Sequence, residues 1–350
     1  MWLGLYVTSF LLQIWAFSAL VWSFPHHELK PREDTQAEAE KYFKIMKPRL
    51  PGRCEGDFVE TMVGDANALI DDAIMALGVL LLQEIPNNPQ FMTWADKAAD
   101  IWGSRHVQDE ESLRLADGQQ ALKKALNNFK LAREYLDSKS IILTCGDSQW
   151  KWARTLREAE IPTHPGDIWN ADTSIAQFYN LPVAQYPGLW FNPFLQNYAS
   201  EIPQNLDANG MPGRTSFCNK GQRATDATPA KGYDLGKAVH HAHAIVICDV
   251  TLDPQFTESL ADVVDKESIS PRTTQHVDIY NVAGVTLVHE IMHIISDQII
   301  DQLVTEANGE TIRAYGWDMC VRVMQSGKAL YNADSYALFA LAVELAPTEC

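Results

Sequence analysis

Basic residues are scarce in this chain of 350 residues, where 28 lysines and arginines stand against 45 aspartates and glutamates. The formal net charge of −17 at pH 7 makes the surface potential strongly negative, which argues against nucleic acid or an anionic membrane as the main partner. Internal repeats and low-complexity segments are also missing. With 46% hydrophobic and 21% charged residues, the composition is typical of a globular protein rather than a disordered one.

Charged side chains are absent from the first 23 residues, MWLGLYVTSFLLQIWAFSALVWS. An apolar run that is followed at once by a polar segment predicts a signal peptide at 1–23, with small residues Val21 and Ser23 before the cleavage point. An uncleaved anchor helix is the alternative, because the run is near the minimum length that spans a membrane. The signal peptide implies a secreted, extracellular protein that has no membrane contact after its removal.

Closely spaced cysteine pairs are absent too. The six cysteines are widely separated and include no C-x-x-C pair, which in an exported chain predicts three disulfides rather than a zinc cluster. The connectivity stays open among fifteen possibilities, although Cys218 with Cys248 and Cys320 with Cys350 are natural neighbours. There is no N-x-Ser/Thr sequon, so N-glycosylation is not expected.

Several catalytic motifs are lacking. The sequence contains neither a G-x-S-x-G elbow nor a G-x-x-x-x-G-K-[ST] loop, so it carries no signature of an α/β-hydrolase or a P-loop nucleotide-binding protein. The presumed disulfides argue against a cysteine nucleophile.

The order of hydrophobic patterns predicts the fold class. Helical periodicity covers 57–84 and 107–137 at the start and 282–304 and the segment after Asn332 at the end. Runs of β-branched apolar residues predict strands at 140–147 and 243–252. Residues 162–236, dense in proline and glycine, are expected to contain further short strands. Helices, then strands, then helices indicate an α+β fold.

We expect a single domain at 51–350, preceded by a leader or linker at 24–50. Trp94 and Trp102 are expected to pack in its core. Three histidines, His240, His241 and His243, lead into the predicted strand 243–252 and are interpreted as edge or loop residues rather than as a metal site.

The stretch TLVHEIMHIISD, residues 286–297, carries the strongest chemical signal. Residues four apart share one face of a helix, so His289 and His293 can offer two imidazoles to a tetrahedral Zn²⁺ ion. Glu290 can act as the general base that takes a proton from a zinc-activated water. Two imidazoles and a carboxylate in an apolar helix are costly to bury without a partner, and a metal is the simplest one. The alternative is a chance occurrence of the pattern.

Further motifs point to a family. The combination of HEIMH, Tyr315-Gly316 and YNADSYALFA at 331–340 resembles the deuterolysin-type metallopeptidases, or aspzincins, which include fungal lysine-specific metalloendopeptidases. The resemblance covers 240–345 well and 54–240 loosely. It implies a zincin-like domain with an HExxH active-site helix and a small sheet, one zinc ion per chain, a protein or peptide substrate and a monomer. It also implies that Tyr315 donates a hydrogen bond to the developing oxyanion.

The third zinc ligand departs from the family pattern. The resemblance implies an aspartate three residues before the tyrosine, but Ile312 occupies that position and cannot ligate a metal. Proximity to Tyr315 favours Glu310 instead. The remaining carboxylates are Glu306, Asp301, Asp297 and Asp334, and the last could equally orient a ligating histidine.

These patterns lead to three functional hypotheses. The leading one is a secreted zinc endopeptidase with His289, His293 and Glu310 as ligands and Glu290 and Tyr315 as catalytic residues. A catalytically inactive zinc-binding protein or effector on the same scaffold is the alternative, motivated by the missing aspartate. A structural extracellular domain with a fortuitous HEIMH is the third.

Overall fold

The computed structural model describes the chain in segments, all of which belong to one unit, Thr35–Cys350. They are 44–46, 57–82, 88–103, 116–138, 141–145, 151–164, 168–192, 197–199, 211, 232–235, 243–248, 251, 253, 257–269, 277, 280–306 and 309–346. The predicted signal peptide, most of the predicted leader, His240 and His241 lie outside the described residues.

Helices form most of the described part. In chain order they are α1 (Asp57–Leu80), α2 (Pro89–Trp102), α3 (Ala116–Asp137), the short α4 (Ile175–Phe178), α5 (Leu260–Ile269), α6 (Ala283–Ile295), α7 (Trp317–Gln325) and α8 (Ala333–Glu344). None of these helices is both long and apolar enough to cross a membrane.

Helix α2 shows how local sequence signals set its ends. The Asn88 side chain accepts a hydrogen bond from the Gln90 amide at 2.8 Å, and Pro89 occupies the first turn. Gly103 ends the helix with a φ of 71°, a left-handed conformation that glycine adopts without steric cost. Trp94 and Trp102 are buried, as predicted.

Within the described residues, the strands form three small sheets. They are β1 (Lys44–Met46), β2 (Ile141–Cys145), β3 (Lys151–Ala153), β4 (Leu189–Asn192), β5 (Asn197–Ala199), β6 (Gly232–Leu235), β7 (His243–Ile247), β8 (Leu303–Thr305) and β9 (Thr311–Arg313). The largest sheet has the order β1-β2-β7-β6, in which only the β6–β7 pair is antiparallel. The other two sheets, β3-β4-β5 and β8-β9, are antiparallel. Together with the helices, these sheets confirm an α+β class.

Helix α6 lies at the centre of the core. It packs against α1 and α8 and also against β6 and β7. Gly284 allows the closest approach, because a Cβ atom at this position would lie 2.6 Å from the Asp65 Cβ of α1. The neighbouring Leu287, Val288 and Ile291 are fully buried in the same cluster. Helix α6, which carries His289 and His293, is therefore fixed by contacts on several sides.

Helix α6 is shorter than the predicted helix at 282–304. It ends at Ile295, and Ser296 is extended with a φ of −159°. The Ile299 amide then donates to the Ser296 carbonyl at 2.9 Å, so the chain turns back instead of continuing along the axis. Ile299 is buried in the core after this turn, which explains why an apolar pattern suggested a longer helix.

Two expectations about side chains need correction. Cys320 is buried and forms no disulfide, so the pairing with Cys350 that the sequence suggested is wrong. Cys145 and Cys248 are each disulfide-bonded, and Cys54, Cys218 and Cys350 lie outside the described residues. His243 lies on β7, an inner strand of the largest sheet, and is buried. Its ring packs edge-on against the Tyr135 ring, with 5.7 Å between the ring centroids. It is therefore not an edge or loop histidine.

Candidate metal centre

The centre begins with two imidazoles on one face of α6. His289 and His293 lie one turn apart, their ring centroids are separated by 4.8 Å, and the rings are nearly perpendicular. Their Nε2 atoms point to a common position and are 3.1 Å apart. The helical spacing in the sequence therefore places two metal-binding nitrogens together, as predicted.

Asp301 brings a third ligand atom to the same position. Its Oδ1 atom lies 3.1 Å from His289 Nε2 and 3.3 Å from His293 Nε2. This oxygen is buried, yet no described donor meets it in hydrogen-bonding geometry. His289, His293 and Asp301 thus form a group that could hold a metal ion.

The separations within this group fit a tetrahedral ion. Zinc bonds of about 2.0–2.1 Å to nitrogen or oxygen place two tetrahedral ligand atoms about 3.3–3.4 Å apart. The three observed distances are 3.1, 3.1 and 3.3 Å, so small shifts would accommodate zinc. Two imidazoles with one carboxylate also form a donor set that zinc accepts, and three protein ligands leave a fourth position open.

Each histidine is also held by a contact of its second ring nitrogen, Nδ1. His289 Nδ1 lies 3.1 Å from Asp334 Oδ1, and His293 Nδ1 lies 2.9 Å from the Ile299 carbonyl oxygen. When Nδ1 donates to these oxygens, Nε2 presents its lone pair to the centre, which is the usual orientation of a ligating histidine. Asp334 also accepts from the Gly316 amide at 2.7 Å, so it links α8 to the segment after β9.

The electrostatics favour positive charge at this point. Burial opposes charge on His289, but contact with Asp301 and Asp334 outweighs it and raises the pKa of this imidazole well above its ordinary value. The pKa of His293 is also raised, because Asp301 and Glu290 outweigh its burial. Burial likewise opposes charge on Asp301, but both histidines hold the pKa of this carboxyl well below its usual range. Three acceptor atoms therefore converge where a cation is strongly stabilised.

Glu290 and Tyr315 lie beside the group. Glu290 is 5% exposed, and its negative charge raises the pKa of both histidines, so it lies within electrostatic reach of each. The Tyr315 ring centroid is 5.9 Å from that of His289. Burial and the neighbouring Asp301 raise the pKa of Tyr315, which keeps its hydroxyl protonated and able to donate.

Three other carboxylates that the sequence offered as third ligands lie elsewhere. Glu310 is exposed in the β8–β9 hairpin, where its carbonyl accepts from the Glu306 amide at 2.7 Å. The Glu306 side chain forms an ion pair with Arg322 at 2.5 Å, and Asp297 is exposed. None of the three belongs to the group. Within the described part of the chain, Asp334 reaches the group through His289, and Asp301, not Glu310, supplies the third candidate ligand atom.

One buried amide ties the segments of the centre together. The Asn332 side chain accepts from the Gln302 amide at 3.1 Å and donates to the Ala314 carbonyl at 3.4 Å and to Ser335 Oγ at 3.1 Å. Gln302 follows Asp301, Ala314 precedes Tyr315, and Ser335 follows Asp334. The single side chain of Asn332 therefore sets the relative positions of three site residues.

The pairing of β8 with β9 is the feature of the sequence that could have identified Asp301 as the third member of the group. The short runs LVT and TIR, each with two β-branched residues, lie on either side of Asn308-Gly309, a dipeptide typical of tight hairpin turns. Gly309 has a φ of 84°. Leu303 pairs with Arg313, so the residues before 303 meet those after 313. This pairing brings Asp301 next to Tyr315, although the two are far apart in sequence.

Comparison with known proteins yields no relative, since no family model, curated protein or solved structure matches this chain. The resemblance to the deuterolysin-type metallopeptidases therefore stays a prediction from the motifs, and so does the zincin-like fold.

Proposed function

We propose that this protein is a secreted zinc-dependent endopeptidase of the deuterolysin type. The observation that carries the proposal is the convergence of His289 Nε2, His293 Nε2 and Asp301 Oδ1 within 3.1–3.3 Å of one another. The buried Glu290 supports it, because a carboxylate between two ligating histidines is the arrangement of a metallopeptidase general base.

His289, His293 and Asp301 would hold the ion, with Asp334 and the Ile299 carbonyl fixing the two imidazoles. A zinc ion in such a site supplies Lewis-acid chemistry, which acidifies a water and polarises a peptide carbonyl. Glu290 accepts the proton of the attacking water and then gives it to the leaving amine. Tyr315 is 48% exposed. Its hydroxyl gives up its hydrogen bond to Asp301 and donates to the oxyanion instead.

The geometry weakens the argument for an inactive zinc-binding protein. That alternative rested on the absence of an aspartate at position 312, and Asp301 supplies a carboxylate from another part of the chain. The retained Glu290 also favours an enzyme, because a protein that only binds zinc has no use for a general base beside its ligands.

The test pairs metal analysis with proteolysis. The full chain is secreted through an oxidising route, its metal is quantified by mass spectrometry, and casein cleavage is assayed. We expect one zinc per chain in the wild type, in Glu290→Gln and in Glu310→Gln. Glu290→Gln should lose at least 100-fold in kcat/KM, since a positioned general base contributes about 10²–10⁴-fold. Glu310→Gln is the matched control and should retain wild-type activity.

Three results would overturn the proposal. Zinc binding without any cleavage by the wild type would favour the inactive zinc-binding protein. A chain that holds no metal would leave HEIMH as an ordinary buried helix. Stoichiometric iron in place of zinc would point to a different chemistry, because two histidines and one carboxylate also bind iron in oxygenases.

A further inference from the structure

The two oxygens of Asp301 have different surroundings. Oδ1 faces the histidines, whereas Oδ2 accepts from the Tyr315 hydroxyl at 2.7 Å and from Arg313 Nη1 at 2.9 Å. Arg313 Nη1 also donates to the Tyr315 hydroxyl oxygen at 3.0 Å. We infer that Arg313 is a positioning residue that fixes Asp301 as a ligand through one oxygen.

The hairpin delivers Arg313 to this position. Arg313 is the last residue of β9 and pairs with Leu303, the first residue of β8. Paired residues of antiparallel strands project from the same face of a sheet, and both of these residues are exposed. Val304 and Ile312 pair on the other face and are less exposed. The strand register therefore directs the guanidinium towards the segment that carries Asp301.

Arg313 suits this role better than Tyr315. A guanidinium keeps its charge at any pH at which a protein is folded, and it presents its donors in a fixed plane. Tyr315 must turn its hydroxyl away from Asp301 if it donates to an oxyanion during the reaction. Arg313 would then still hold Oδ2, which keeps Oδ1 aimed at the ion throughout a turnover.

The same hairpin offers an internal comparison. Arg322 of α7 binds the Glu306 side chain at 2.5 Å and the Thr305 carbonyl at 2.9 Å, so it also holds the hairpin through an ion pair. This pair touches no residue of the His289, His293 and Asp301 group. Exposed ion pairs contribute little to stability, whereas groups that orient a metal ligand change metal affinity by about 10–100-fold.

The inference rests on the proposed zinc centre but not on peptide hydrolysis, so its test measures zinc affinity alone. Wild type, Arg313→Gln, Arg313→Lys and Arg322→Gln are titrated with zinc against a chelating dye at neutral pH. We expect Arg313→Gln to bind zinc about 10–100-fold more weakly. Arg313→Lys should recover part of the loss, because it restores the charge without the planar fork. Arg322→Gln should stay within about threefold of the wild type.

Thermal unfolding of the four metal-free proteins separates positioning from folding. Similar melting temperatures with a selective loss of zinc affinity in Arg313→Gln support the inference. It is overturned if Arg313→Gln binds zinc as tightly as the wild type, if Arg313→Gln and Arg322→Gln lose the same affinity, or if the wild type binds no zinc. A wild type that binds zinc but cleaves no peptide would contradict the proposed function and leave the positioning role intact.

Discussion

Two half-buried aspartates of this protein differ in charge because they have different neighbours. Asp301 lies against two imidazoles, a hydroxyl and a guanidinium, and its pKa is held far below the usual range. Asp72 lies in α1, hydrogen-bonded to Glu344 of α8 and near Asp71. Burial together with these acidic neighbours raises the pKa of Asp72 to about 9. Burial opposes ionisation in both cases.

The difference shows that partners, and not burial alone, decide whether a buried acid carries charge. Asp301 is surrounded by donors and remains an anion that attracts a cation. The raised pKa of Asp72 keeps this carboxyl protonated near neutral pH, beside its hydrogen-bond partner Glu344. A search for metal ligands among such carboxylates should therefore weigh the neighbours of each one, and by this criterion Asp301 is a candidate ligand and Asp72 is not.

The largest effect is expected from Asp301→Asn. The amide has the same size but no charge, so zinc affinity should fall by more than about 100-fold, beyond the range seen for groups that only orient a ligand. Zinc titration against a chelating dye measures the loss. Asp72→Asn serves as the matched control and should bind zinc like the wild type. Equal zinc affinity in wild type and Asp301→Asn would remove this residue from the centre.

A smaller effect is expected from Asp72→Asn on stability. The folded-state pKa of Asp72, about 9, lies above its unfolded value of 3.8. The contribution of Asp72 to folding stability is therefore fully present below pH 3.8 and is lost as pH rises towards 9. An asparagine does not titrate, so the variant should be more stable than the wild type by about 2–4 kcal/mol near pH 7. This difference in the free energy of unfolding should disappear towards pH 4.

Urea unfolding of both proteins across this pH range measures the difference. A gap that does not change with pH would show that Asp72 does not titrate as inferred.

The smallest effect is expected from Gly284→Ala, which probes the contact between α1, the helix that carries Asp72, and α6, the helix that carries His289 and His293. The added Cβ would lie 2.6 Å from the Asp65 Cβ, so α6 and α1 must move apart. Overpacking of this kind costs about 1–3 kcal/mol. Thermal unfolding measures the loss, and Gly327→Ala is a control because a Cβ there meets nothing within 4 Å, although its φ of 74° adds some strain. Equal stability of wild type and Gly284→Ala would contradict the tight contact.

Part of this structure could be predicted from local patterns. The helix of α1, the strands β2 and β7 and the pairing of His289 with His293 follow from periodicity within short windows. Each of these features depends on residues that are near one another in the sequence. For that reason, composition and spacing were sufficient.

The third ligand could not be predicted in the same way. A helix continued from His293 to Asp301 would carry that residue about 12 Å along the axis, at about 1.5 Å per residue. Only the turn at Ser296 brings it back. The apolar residues Ile299, Ile300 and Leu303 continue the helical pattern, so periodicity concealed the turn. The ranking by distance from Tyr315 along the chain then favoured Glu310, whereas the hairpin makes Asp301 the spatial neighbour.

The hydrogen bonds of Asn332 have a consequence for the order of biosynthesis. His289 is translated well before Asp334, and the backbone of Gln302 and Ala314 gains its buried amide partner only when Asn332 has been added. A nascent chain on the ribosome therefore lacks a complete centre until residue 334 has emerged from the exit tunnel.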